Sequence, residues 1–270
     1  MSAGPGPMAR SALVATVLAL ATAAANAGRS CENRPPTVDA VQRSMALAER
    51  TARALDQNGA QVVVLARAGQ NLSAYHLRYS HLGFAYRDAD RHWRIVHKLN
   101  QCGSANGSLY RQGLGEFFLD DLYEYEAAIV VPRPDVQARL LPALQDNLRV
   151  AQLNTPAYSM VAYPWAQTYQ QSNQWAIETL AMTQEPAAQT RPLYTRARAQ
   201  AWLQLQGYEP TTLHIGPLQR LGGRLTAANI AFDDHPNAKR FSDRIETVTV
   251  DSVFAWLNRS GLGGPVQVIR

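Results

Sequence analysis

An α+β fold, with a central antiparallel sheet flanked by helices, is predicted by three observations. Helical patterns precede and follow a cluster of strands instead of alternating with single strands. Two of the strands have Asp88-Ala89-Asp90-Arg91 between them, which supplies a hairpin turn. Of the 270 residues, 46% are hydrophobic and 17% charged, a balance that supports a sizeable core and argues against wholesale disorder.

The elements follow in order. Residues 38–55 place Val38, Val41, Met45, Leu47, Ala48 and Leu55 at helical spacing and stop at Asn58-Gly59, so they predict a helix. Residues 61–66 form an apolar run and predict a buried strand. A polar connection over 67–79 leads to strands at 80–86 and 93–99. A helix is expected over 116–122. A strand over 127–131 is stopped by Pro132-Arg133-Pro134, and a helix over 135–148 follows. Further helices are expected at 171–183, closing at Pro186, and at 193–205, closing at Gly207. The last sixty or so residues predict a strand at 244–250, a helix at 252–257 and a strand at 266–269. No internal repeat is visible. The expected organisation is one domain over 28–270 with a C-terminal extension from about 208.

The N-terminus carries a different signal. Met8-Ala9-Arg10 is a basic start, residues 11–25 are small and apolar, and Ala25-Asn26-Ala27 has the form of an export cleavage site. Residues 1–27 therefore read as a secretory signal peptide, which implies a periplasmic or secreted protein. Its removal takes Arg10 and no acid, lowering the formal net charge from +5 to +4. The densest basic segment, Arg191, Arg196 and Arg198, has no interleaved aromatic residues, so no nucleic-acid partner is expected. No later run is apolar for long enough to span a membrane. The two cysteines, Cys31 and Cys102, form a disulfide candidate in an exported protein. Cys102 as a nucleophile is the alternative, although its Gly/Ser/Asn-rich setting is a loop, not a helix start. The six histidines are scattered and no C-x-x-C or H-x-x-x-H occurs, so no metal or other cofactor is expected.

Three residues carry the candidate chemistry. His81 opens a strand on which alternation puts His81, Gly83 and Ala85 on one face, leaving space beside the imidazole. His97 lies on the next strand, where a short hairpin can set it alongside His81 as an orienting group. Ser172 opens the helix at 171–183, either as an ordinary N-cap or as a nucleophile exposed to the helix N-terminal field. A base on a strand facing a hydroxyl or thiol at a helix start is the working geometry of papain-like hydrolases.

The order of histidine strand, polar-residue strand and nucleophile helix resembles the circularly permuted branch of NlpC-like papain-fold hydrolases, relatives of lecithin retinol acyltransferase. Ser80-His81-Leu82-Gly83 resembles their histidine segment. Gln171-Ser172-Asn173-Gln174-Trp175 resembles their Asn-Cys-x-x-Phe helix start, with Ser172 at the cysteine position and Trp175 at the aromatic. More closely, residues 67–181 are similar to an uncharacterised family of exported proteobacterial proteins, through Arg67-Ala68-Gly69, Tyr79-Ser80-His81, Gly115-Glu116-Phe117-Phe118 and Ser172-Asn173-Gln174-Trp175. The resemblance implies a permuted papain-like domain and an amidase or peptidase-type hydrolase acting on cell-envelope peptides or acyl substrates. Ser172 would be nucleophile, His81 base and His97 orienter, with Arg67 and Glu178 either as further groups near the pocket or, equally, as surface or ion-pair residues. Serine is harder to deprotonate than cysteine. The same scaffold with serine is therefore also expected as a catalytically inactive binding protein.

Overall fold

The computed structural model describes residues 35–120, 122–185 and 194–270. The expected signal peptide, Cys31 and Arg191 lie outside these residues. No cysteine among the described residues is a free thiol. The pairing of Cys31 with Cys102 itself falls outside the description, because Cys31 does.

Thr37 caps the first helix, α1 (Val38–Gln57), by accepting from Ala40 N at 3.1 Å. Strands β1 (Val62–Ala68), β2 (His81–Arg87), β3 (Trp93–Asn100), β4 (Gly107–Gly113), β5 (Glu124–Val130) and β8 (Gln267–Ile269) form a six-stranded sheet in the order β4-β3-β2-β1-β5-β8. All neighbours are antiparallel. The turn from β2 to β3 is built by Asp88, whose Oδ1 accepts from the backbone N–H of Asp90 and His92, with Arg91 in the left-handed region at φ 64°. The fold class is therefore α+β around an antiparallel sheet.

Strand alternation divides the core. Val63, Leu65, Ala85 and Ile95 pack with Leu47 and Leu55 of α1 and with Phe117 and Phe118 of α2 (Leu114–Phe118). Val62, Val64, Leu82, Phe84 and Val96 face the other way, onto α3 (Pro134–Gln145), α5 (Ser172–Gln184), α6 (Arg196–Leu205) and α9 (Val250–Arg259). Helix α5 is buried along its whole length, so both its polar and apolar sides must find partners inside the protein. Between α3 and α5 lies the short α4 (Asn147–Ala151), capped by Asp146.

Beyond residue 208, β6 (Thr211–His214) and β7 (Arg244–Thr247) make a two-stranded sheet, joined by α7 (Pro217–Thr226) and α8 (Asn237–Arg240). This segment is more than an appendage. Val250, Phe254, Trp256 and Leu257 of α9 complete the core beneath α5, and β8 pairs with β5. No helix among the described residues is long and apolar enough to cross a membrane.

Candidate functional site

His81 is the first residue of β2, and β3 runs back beside it. In this register His97 lies opposite Gly83, two residues along the strand from His81 on the same face. Gly83 is required there: a Cβ would come within 2.8 Å of His97 Cβ and 3.0 Å of the Val96 carbonyl. The result is a direct contact, His81 Nε2 to His97 Nδ1 at 2.8 Å. His97 Nε2 is 2.8 Å from Gln112 Oε1 on β4, and Gln112 Nε2 donates to Glu116 Oε1 at 3.2 Å. Phe117 covers the pair, with its ring centroid 6.0 Å from His81 and 5.2 Å from His97.

This pocket favours uncharged imidazoles. Burial holds His81 well below its ordinary pKa, with repulsion from Arg67 and then His97 acting in the same direction. Burial, then Arg67, pushes His97 down to about 3, with the Gln112 hydrogen bond acting the other way. Arg67 is adjacent to His81 in the register of β1 and β2. Its guanidinium donates to the Phe117 carbonyl, pairs with Asp120 and lies over the Phe117 ring. It thus braces α2 over the histidines.

Ser172 is the first residue of α5 but not its cap. Gln171 has that role, its side chain accepting from Asn173 N at 3.2 Å. Ser172 Oγ lies 3.2 Å from the hydroxyl of Tyr158. Burial raises the Tyr158 pKa, while hydrogen bonds from the Ser172 side chain and backbone N–H favour the phenolate.

The sequence places Ser172 and His81 face to face. The structure joins their neighbours instead: Asn173 Oδ1 accepts the backbone N–H of Leu82 at 3.1 Å. No hydrogen bond connects Ser172 Oγ with His81 among the described residues. The reason lies in the alternation. Leu82 and Phe84 project toward α5, whereas the His81 ring turns toward Phe117. His97 is beside His81, as the hairpin predicts.

Of the places expected for Glu178, the structure gives it the ion pair. It is buried in α5 and paired with Arg196 at 2.8 Å, with Gln170 and Gln200 also donating to its carboxylate. Arg196 also donates to the carbonyls of Ala166, Gln167 and Tyr169, fixing the loop that enters α5. Lys98, wholly buried on β3, donates to Gln170 Oε1 at 2.9 Å. Burial, then Arg196, lowers its pKa to about 7. An open cleft of about 390 Å³, lined by residues that include Trp165, Tyr208, Lys239 and Glu246, lies apart from the histidines and Ser172.

Sequence reasoning missed Tyr158, Gln112 and the role of Glu116. Tyr158 reaches Ser172 through a loop contact that no local pattern encodes. Glu116 stands inside the Gly115-Glu116-Phe117-Phe118 segment, whose apolar pair was the visible signal.

Over residues 54–257 the sequence matches the family described as an uncharacterized protein conserved in bacteria (DUF2145). The match spans more than half of the chain, so the protein belongs to that family. No curated protein and no solved structure matches it.

Proposed function

We propose that this DUF2145 member is a periplasmic or secreted hydrolase of the amidase or peptidase type, with a permuted papain-like arrangement of its site. The substrates are cell-envelope peptides or related acyl compounds. One observation carries the reading. The His81 imidazole commits Nε2 to His97 at 2.8 Å, and its Nδ1 has no hydrogen-bond partner among the described residues. One nitrogen held by an orienting group and the other left for a proton is what a general base needs.

In this reading Ser172 Oγ attacks the substrate carbonyl and its proton passes to His81 Nδ1. The C–O bond that forms leaves a tetrahedral oxyanion. The N-terminal end of α5 offers the Ser172 backbone N–H to that oxyanion, and the Tyr158 hydroxyl is a second donor. The proton then moves from His81 to the departing amine or alcohol as its bond to carbon breaks. Water then attacks the acyl-serine, giving a proton to His81, which passes it to Ser172 Oγ as the serine–acyl bond breaks and the acid is released. For the first step Ser172 Oγ must leave Tyr158, and because the His81 ring lies on the Phe117 side of the sheet while α5 lies on the other, the start of β2 must also move to bring the imidazole round to Ser172.

A second reading, a catalytically inactive binding protein on the same scaffold, is favoured by the Tyr158 bond to Ser172 and by the 5% exposure of that serine. Labelling with a fluorophosphonate separates the two. Covalent modification of the exported protein that disappears in Ser172→Ala supports the hydrolase. Absence of labelling in the wild type, with labelling by a thiol-directed acylating probe gained in Ser172→Cys, supports a disarmed site.

A further inference from the structure

The hydrogen-bond chain that ends at His81 begins at a carboxylate, and a carboxylate sets the direction of everything linked to it. An ionised Glu116 only accepts. Gln112 therefore presents its NH2 to Glu116 and its carbonyl oxygen to His97, which fixes an amide orientation that would otherwise be ambiguous. Facing an acceptor, His97 carries its proton on Nε2 and leaves Nδ1 as a lone pair. Facing that lone pair at 2.8 Å, His81 carries its proton on Nε2. The lone pair of His81 is then on Nδ1.

We infer that Glu116 and Gln112 are positioning residues that set the tautomers of His97 and His81, so that His81 presents Nδ1 as a proton acceptor; the catalytic consequence rests on the proposed role of His81 as base. The fold makes the connection economical. His97 and Gln112 lie on one face of the adjacent strands β3 and β4, offset by two residues in the register. Helix α2 starts directly after β4 and returns Glu116 to Gln112, four residues earlier. The same helix supplies Phe117, which covers the imidazoles, while its Glu116 contact with Gln112 lies at the surface. Burial adds to this, since it keeps both rings neutral and makes the choice of tautomer matter.

Two-bond nitrogen–proton correlation spectra of the 15N-histidine-labelled, exported protein test the inference without relying on activity. The expected result is a proton on Nε2 of both His81 and His97 in the wild type. Glu116→Gln frees Gln112 to turn, and a mixture of tautomers is expected at both rings. Adding Gln112→Glu places an acceptor-only group against His97, so the double variant is expected to recover the single tautomer. A wild-type His81 protonated on Nδ1, or tautomers unchanged in Glu116→Gln, would overturn the inference. The rate of fluorophosphonate labelling is expected to fall in Glu116→Gln by the fraction of His81 that has lost its Nδ1 lone pair. If the tautomers behave as stated while Ser172 is never labelled, the positioning chain stands and the hydrolase reading falls.

Discussion

Asn173 Oδ1 accepts the backbone N–H of Leu82 at 3.1 Å, tying the residue after Ser172 to the residue after His81. This bond sets the spacing between the start of α5 and the start of β2. Its other amide atom, Asn173 Nδ2, donates to the Val248 carbonyl at 3.3 Å, so a single side chain links α5, the sheet and the entry to α9. Asn173→Leu leaves the Leu82 N–H unpaired in a buried setting and removes one of two donors from the Val248 carbonyl, which keeps Gln171 Nε2. A buried donor left unpaired costs about 1–3 kcal/mol. The expected outcome is a lower denaturation midpoint, together with loss of Ser172 labelling in the fraction that stays folded. Urea titration followed by labelling at fixed folded fraction checks both.

Capping and nucleophile roles separate at neighbouring positions. Gln171 holds Asn173 N and also donates to Thr247 Oγ1 and the Val248 carbonyl. Gln171→Ala is expected to destabilise by about 1 kcal/mol or more, the usual cost of losing a cap. Ser172→Ala removes only the contact with Tyr158 and is expected to cost about 0.5–1.5 kcal/mol, a typical single hydrogen bond. A Ser172→Ala variant less stable than Gln171→Ala would show that the hydroxyl serves the fold first. Thermal denaturation of the two variants side by side decides this.

The chain made β1 to β3 and their faces legible through alternation and the Asp88 turn, and with them the pairing of His81 and His97. The fourth strand was not legible. Gly107-Ser108-Leu109-Tyr110-Arg111-Gln112-Gly113 has little apolar alternation, and it is a strand because it pairs with β3 from Asn100 back to Arg94. Gln112 was hidden for the same reason. The expected strand at 244–250 ends at Thr247, because Thr249 caps α9 by accepting from Ser252 N at 3.1 Å. The meeting of Ser172 with Tyr158 depends on how the loop after α4 folds back, a long-range property outside the reach of local periodicity.

Acid is expected to weaken the protein through the histidine pair. His97 titrates near 3 in the folded chain against 6.5 for the unperturbed group. Between those values the unfolded chain binds the proton and the folded one does not, so stability falls as pH drops from 6.5 toward 3. His81 contributes with the same sign. Glu126, held down to about 2 mainly by Arg78, also loses stability in acid, but only below its ordinary value of 4.5. Denaturation free energies measured at pH 7 and pH 5 therefore isolate the imidazoles from Glu126. A smaller loss over that interval is expected in His97→Gln than in the wild type. An equal loss would reject the assignment.

Gly83 fixes how closely β3 can approach. Its missing Cβ is where His97 Cβ, Ile95 Cγ2 and the Val96 carbonyl converge, at 2.8, 3.0 and 3.0 Å. Two of these neighbours are held by the sheet, and neither can move without opening the β2–β3 pairing. Gly83→Ala is expected to cost about 1–3 kcal/mol, as overpacking of a filled interior does. The displacement would also lengthen the His81–His97 contact, and that gives a readout beyond stability. The two imidazoles should lose their common tautomer while Gly83→Ala remains folded at low temperature. A folded Gly83→Ala with both denaturation midpoint and imidazole signals unchanged would show that β3 has room the geometry does not allow.

Glu178 and Arg196 form the most buried ion pair beside the site. Their side chains are 1% and 6% exposed, and Gln170 and Gln200 complete the carboxylate's partners. Desolvation raises the Glu178 pKa, and Arg196 is the main force opposing that rise. Removing one partner strands the other. Arg196→Met is therefore expected to cost about 3–5 kcal/mol, whereas Arg196→Met with Glu178→Leu should recover part of that loss, because neither charge is then buried alone. The recovery should stay incomplete. Arg196 also holds the carbonyls of Gln167 and Tyr169, which lose this donor in both variants, and that of Ala166, which keeps Gln200 Nε2. Since that loop leads through Gln170 into Ser172, the double variant should be folded yet label more slowly at Ser172. Labelling at the wild-type rate in a folded double variant would show that the loop holds its shape without Arg196.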